Sequence, residues 1–197
     1  METLNTTEII KKLQKEERQV FTLADFARLF DIERTNTLYK KTQRLEEKGL
    51  IKRLTKGKYF FSFKKPNEFV IANFLYQPSY ISLESALSFH GIITGFPYQI
   101  SSMTIKKPKT FSFEGKEYQY SQISQSLFWG YEKKEDFLIA DKEKALIDFL
   151  YLAFKGLRQP DYDEFDLSAL SKKKLEEYFI KITNQRFLSS LKRQKLL

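Results

Sequence analysis

A dense set of side chains suited to reading a nucleic acid falls between Arg34 and Lys58. The segment from about Thr35 to Lys48 has helical spacing and stops at Gly49, a residue that suits a helix C-terminus. Leu38, Thr42 and Leu45 share one side and should pack inward. Thr37, Lys40, Lys41 and Arg44 share another side, about a third of a turn away, flanked by Asn36 and Gln43, with Arg34 just ahead. Amides, hydroxyls and guanidinium groups contact base edges, and ammonium groups contact phosphates. Lys52, Arg53, Lys56 and Lys58 follow on a short hairpin and extend the same chemistry. The expected partner is double-stranded DNA.

The elements that must position these residues are legible around them. Ile9, Ile10 and Leu13 predict a first helix, with Thr6 or Thr7 as its N-cap. Thr22-Leu-Ala-Asp25 reads as a capping box opening a second helix, whose Leu23, Phe26, Ala27 and Phe30 form one apolar face. After the third helix, Leu50–Arg53 and Lys58–Phe63 are β-prone runs joined at Thr55-Lys56-Gly57. Three helices and a hairpin in this order describe an N-terminal winged helix-turn-helix over residues 1–65. The charge follows this division: of a net +9, residues 1–65 carry +7. A basic block of this kind favours a polyanion, although a solubilising surface has the same charge.

Pro66-Asn67 breaks the hairpin, so the second domain is expected over residues 66–197. It reads as α+β, with a mostly antiparallel sheet and C-terminal helices. A helix through Phe69 to Leu75 precedes a second at Ser79–Gly91, with Ser82 as N-cap. Strand texture covers Ile100–Lys106, Thr110–Phe113, Lys116–Tyr120, Ser126–Tyr131 and Asp136–Ala140, with a turn at Glu114-Gly115. Asp141 caps a helix to Phe154 with the apolar stripe Ala145, Leu146, Phe149, Leu150 and Ala153. Helices at about 171–182 and 184–195 close the chain. Lys106, Lys107 and Lys109 could add a further DNA contact, as could Lys172–Lys174, and both groups read equally as solvated faces.

The sequence supplies little for catalysis. It has no cysteine and one histidine, which removes thiolate and His-His metal chemistry. His90 lies beside a helix C-terminus, where a structural role suits it. The glycines are single, so no phosphate loop exists. The acidic run Asp161–Asp166 lacks the turn glycine and distal glutamate of a calcium loop. Glu114-Gly-Lys116 and Pro160-Asp161 resemble the carboxylate–lysine pattern of some nucleases, but in reversed order. We therefore expect no catalytic residues, no metal and no cofactor. With no apolar run of about 20 residues and no signal-peptide core, the expected location is the cytoplasm, without membrane attachment.

Three stretches carry a family resemblance: Pro78–Ile92, Ser126–Tyr131 and Ala140–Leu152. Together with the N-terminal domain they resemble AbiEi-type antitoxins of type IV toxin–antitoxin pairs, which are linked to abortive infection. The likeness covers about residues 5–155. It departs where relatives usually carry proline in place of Asp141 or Lys142. It implies a transcriptional repressor that binds inverted repeats in its own operator through the winged helix. Its functional partner would be a nucleotidyltransferase toxin, countered without a stable complex. The alternative is a stand-alone winged-helix regulator or interaction protein whose second domain binds a protein or ligand.

Overall fold

The computed structural model describes residues 6–16 and 18–193. Both parts of the chain are mixed α+β, and it divides into two compact units, Met1–Leu75 and Tyr76–Leu197.

In the first unit the order is α1 (Thr6–Lys15), β1 (Val20–Thr22), α2 (Leu23–Leu29), α3 (Thr35–Glu47), β2 (Ile51–Thr55), β3 (Lys58–Phe61) and α4 (Glu68–Leu75). Thr6 and Thr7, the expected N-cap residues, both lie within α1. The Thr22–Asp25 capping box is present. The Asp25 backbone N–H donates to Thr22 Oγ1 at 3.1 Å, and Asp25 Oδ2 accepts the Thr22 backbone N–H at 2.9 Å. The three strands form an antiparallel sheet in the order β1-β3-β2. Strand β1 was not expected, because three residues are too few for an alternating pattern to register.

Ile9 and Leu13 of α1, Phe26 of α2, Phe30, and Leu38 and Leu45 of α3 pack on Phe21, Ile51, Tyr59 and Phe61 of the sheet. Phe21 stacks on Phe61 with ring centroids 4.5 Å apart. Helix α4 belongs with this unit, although the proline before it suggested a boundary. Pro66 ends the hairpin, yet α4 lies against β1, and its last carbonyls are held by β3.

The second unit holds β4 (Ser79–Ile81), α5 (Leu83–Phe89), β5 (Ile100–Thr104), β6 (Lys109–Phe113), β7 (Lys116–Gln122), β8 (Tyr131–Lys134), β9 (Phe137–Ala140), α6 (Lys142–Phe154), α7 (Lys172–Lys181) and α8 (Gln185–Arg193). Its sheet runs β6-β7-β5-β4-β9-β8. The expectation of a mostly antiparallel sheet is corrected to a mixed one. β5 pairs with β7 and β4 with β9 in parallel, while the other three pairings are antiparallel. The Glu114-Gly115 turn, with both residues at positive φ, fixes the β6–β7 hairpin, but no local signal dictates that β7 returns beside β5.

Two further expectations shift. Ser79–Ile81 is a strand rather than the start of a helix, and α5 begins only after Ser82. Ser126–Tyr131 is not a strand. A short 3-10 turn at Gln125–Leu127 and Gly130 at φ 74° delay β8 until Tyr131. Helices α7 and α8 lie where expected, apart from positions 194 and 195, which fall outside the described residues.

Helix α6 is capped by Asp141, which accepts the Lys144 N–H at 2.9 Å. Its burial goes well beyond an apolar stripe. Ala153 is only half-buried, while Lys144 and Asp148, one turn apart, are both sealed from solvent. Lys144 Nζ donates to Asp148 Oδ1, and the hydroxyls of Tyr80 and Ser82 donate to Oδ2, each at 2.8 Å. The Ser82 side chain is thereby diverted from capping α5. The Lys144 ammonium lies 5.0 Å from the centre of the Trp129 ring, and its stem occupies the space a Cβ at Gly130 would need. Burial drives the Asp148 carboxyl upward and the Lys144 ammonium downward, and each is held back by the other.

Two predictions follow from these contacts. Lys144→Met or Asp148→Leu alone should each cost about 3–5 kcal/mol in urea unfolding. A double-mutant cycle should then show the pair costing less than the sum. Asp25→Asn should cost about 1 kcal/mol at pH 7. Burial raises the Asp25 carboxyl, but hydrogen bonds from Thr22 and Arg28 outweigh it and leave it below its usual range. That stabilisation is therefore complete above the unfolded value of about 4 and is lost as pH falls through the lower folded value. Stability measured against pH should show wild type and Asp25→Asn converging in acid.

Candidate nucleic-acid interface

The thirteen residues of helix α3 lie between its N-cap Arg34 and its C-cap Lys48, and Gly49 follows at φ 68°. Leu38, Thr42 and Leu45 are buried as expected, and the Thr42 hydroxyl donates back to the Leu38 carbonyl at 3.0 Å. With 3.6 residues per turn, the opposite side carries Asn36, Lys40, Gln43, Arg44 and Glu47, all exposed. Thr37 and Lys41 are half-buried and flank the core rather than leading the outer face. Arg34 is exposed at the N-terminal end.

The register of the hairpin sorts its four cations. Arg53 pairs with Tyr59, so it stands on the same face as Ile51, Tyr59 and Phe61, the face on which the helices pack. Burial raises the Tyr59 hydroxyl above its usual range against the pull of the Arg53 guanidinium, and Glu46 and Tyr39 add to the rise. Arg53 itself is exposed at the surface beside Tyr59. Lys52 pairs with Phe60 and stands on the reverse face. Lys56 sits exposed in the turn.

Lys58 departs from its expected role as a DNA contact. Its ammonium donates to the carbonyls of Phe74 at 2.6 Å and Leu75 at 3.0 Å, and lies 5.1 Å from the centre of the Phe74 ring. These are the last carbonyls of α4, which no intrahelical N–H can satisfy, so a cation there is well matched. Lys58 stands on the reverse face with Phe60, which points it at α4 rather than outward. The surface that remains is Arg34, Asn36, Lys40, Gln43, Arg44, Arg53 and Lys56. Among the described residues no ion pair engages Arg34, Lys40, Lys41, Arg44, Arg53 or Lys56.

Two members of this surface were not anticipated. Tyr39 is 50% exposed on α3, beside Gln43. Glu47 accepts a hydrogen bond from Gln43 Nε2 at 3.0 Å. The second was readable in principle, since Gln43 and Glu47 stand four residues apart on a helix.

The remaining candidates occupy the second unit. Lys106, Lys107 and Lys109 are exposed, with Lys106 and Lys109 lying 5.5 and 5.6 Å from the centre of the Tyr76 ring. Lys174 is drawn to Asp141 at 3.2 Å and Glu143 at 3.6 Å. His90 is the C-cap of α5, and its Nε2 lies 2.8 Å from the Ala140 carbonyl. Asp166 in the acidic run caps a short 3-10 helix through its bond from the Ser168 N–H. Among the described residues no cluster of histidine and carboxylate side chains is placed to hold a metal ion. No described helix is long and apolar enough to cross a membrane.

Neither a protein-family model nor a curated protein matches the chain.

Lys58→Met should lower the stability of the first unit by about 1–3 kcal/mol through the lost charge-assisted bonds. It should leave the salt dependence of any DNA binding unchanged, as read by anisotropy titrations at several salt concentrations.

Proposed function

We propose that the first unit is a winged helix-turn-helix that binds operator DNA, and that the protein represses its own operon. The observation that carries this reading is the run of exposed cations and amides on α3 and the hairpin, with no carboxylate among the described residues pairing Arg34, Lys40, Arg44, Arg53 or Lys56. In this reading α3 enters the major groove with Asn36, Lys40, Gln43 and Arg44 toward the bases. Arg53 and Lys56 reach flanking phosphates. The phosphate contacts release counterions and supply affinity, while the α3 side chains supply sequence preference.

For the second unit the reading is that of a type IV antitoxin, acting in the cytoplasm against a nucleotidyltransferase toxin without a stable complex. The sequence resemblance supports it, and the three stretches that carry it come together within the second unit. Tyr80 and Ser82 come from the first of the three stretches, Trp129 and Gly130 from the second, and Lys144 and Asp148 from the third. The first four meet around the buried ion pair that the last two form.

Fluorescence anisotropy with the DNA upstream of the gene, set against a scrambled duplex at two salt concentrations, tests the DNA reading. Tighter binding to the upstream duplex that survives high salt is expected, and no binding at low salt overturns it. Lys56→Ala should weaken both duplexes alike and flatten the salt slope by about one unit. Arg44→Ala should cost about 1–3 kcal/mol on the cognate duplex only, as for a bidentate guanine contact. Co-expression with the neighbouring gene tests the antitoxin reading, with rescue of growth as the expected result.

A further inference from the structure

We propose that Glu47 sets the sequence discrimination of α3 by positioning Gln43, an inference that rests on α3 being the DNA-facing helix. Both side chains are exposed on the outer face, and Gln43 Nε2 donates to Glu47 Oε1 at 3.0 Å. A carboxylate can only accept, so this bond permits one orientation of the amide. The nitrogen is turned toward Glu47, and the carbonyl oxygen and the second N–H are left for another partner. A donor and an acceptor in fixed order complement the N7 and N6 groups of adenine in the major groove. A glutamine without this tether presents both orders and accommodates other bases or a phosphate.

The charge pattern of α3 adds a second contribution from the same residue. Arg34, Lys40, Lys41 and Arg44 precede Glu46 and Glu47 and Lys48 follows them, so the two carboxylates interrupt a run of cations along the helix. Among the described residues no ion pair neutralises Glu47. Phosphates are attracted to the cations on either side and repelled locally at these two carboxylates. A carboxylate at that point penalises the loosely seated arrangements by which a basic helix binds any duplex. Discrimination of this kind is built by repulsion as much as by attraction.

The test selects duplexes from a randomised pool with the full chain, in parallel with its Glu47→Gln and Gln43→Ala variants. Selected and scrambled duplexes are then titrated at two salt concentrations. The wild-type consensus should contain an adenine that both variants lose. Glu47→Gln should also bind the scrambled duplex about three- to tenfold more tightly at low salt, with a reduced ratio of consensus to scrambled affinity. Both substitutions are on the exposed face, and matching thermal unfolding curves should show that the fold is intact. Retention of the adenine by either variant, or an equal gain on both duplexes for Glu47→Gln, overturns the proposal. A wild-type chain that enriches no sequence overturns the DNA-facing reading as well, and that result is seen before any variant is compared.

Discussion

A carboxylate without access to water needs donors for its lone pairs, and Asp148 draws the centre of the second unit together on those terms. Its donors come from three places in the chain. Lys144 lies one turn away on α6, Tyr80 belongs to the middle of β4, and Ser82 follows that strand. Meeting them requires β4 to run beside β9 and to end where the N-terminal half of α6 passes. The lysine brings its own requirement, because its four-carbon stem needs an apolar channel. Trp129 forms one wall, and the missing side chain of Gly130 leaves the space. Residues separated by as many as 68 positions are fixed by one group.

The first unit is built on the opposite principle. Its interior is dominated by aromatic and aliphatic side chains, with Phe21, Phe26, Phe30, Tyr59 and Phe61 at the centre. Of its polar groups, Thr42 is buried and bonds back to its own helix, while the capping box of α2 and the tie from Lys58 to the end of α4 lie at the edges. Apolar packing of this kind orients α3 without engaging the outer side chains, which is what the proposed presentation of amides and cations to DNA requires.

How much of this was legible in the sequence varies with the range of the interaction responsible. The inward face of α3, the Thr22–Asp25 box, the Glu114-Gly115 turn and the Asp141 cap depend on residues within a few positions of one another, and all are present. The parallel return of β7 to β5 and the strand at Ser79–Ile81 depend on partners elsewhere in the chain, and neither was foreseen. The same distinction runs through the candidate site. Lys40 and Arg44 are exposed as helical spacing implies, while Lys58 is claimed by carbonyls 16 and 17 residues away. Gln43 and Glu47 fall between these cases, since the spacing was visible but the bond was not anticipated.

The position of Trp129 has a practical consequence. It is the only tryptophan of the chain, and it belongs to the second unit, with Tyr178 4.8 Å away and the ammonium groups of Lys144 and Lys181 5.0 and 5.5 Å from its ring. The first unit has only Tyr39 and Tyr59 as intrinsic fluorophores. A single unlabelled sample therefore carries two optical reporters. Indole emission follows the surroundings of the buried ion pair in the second unit.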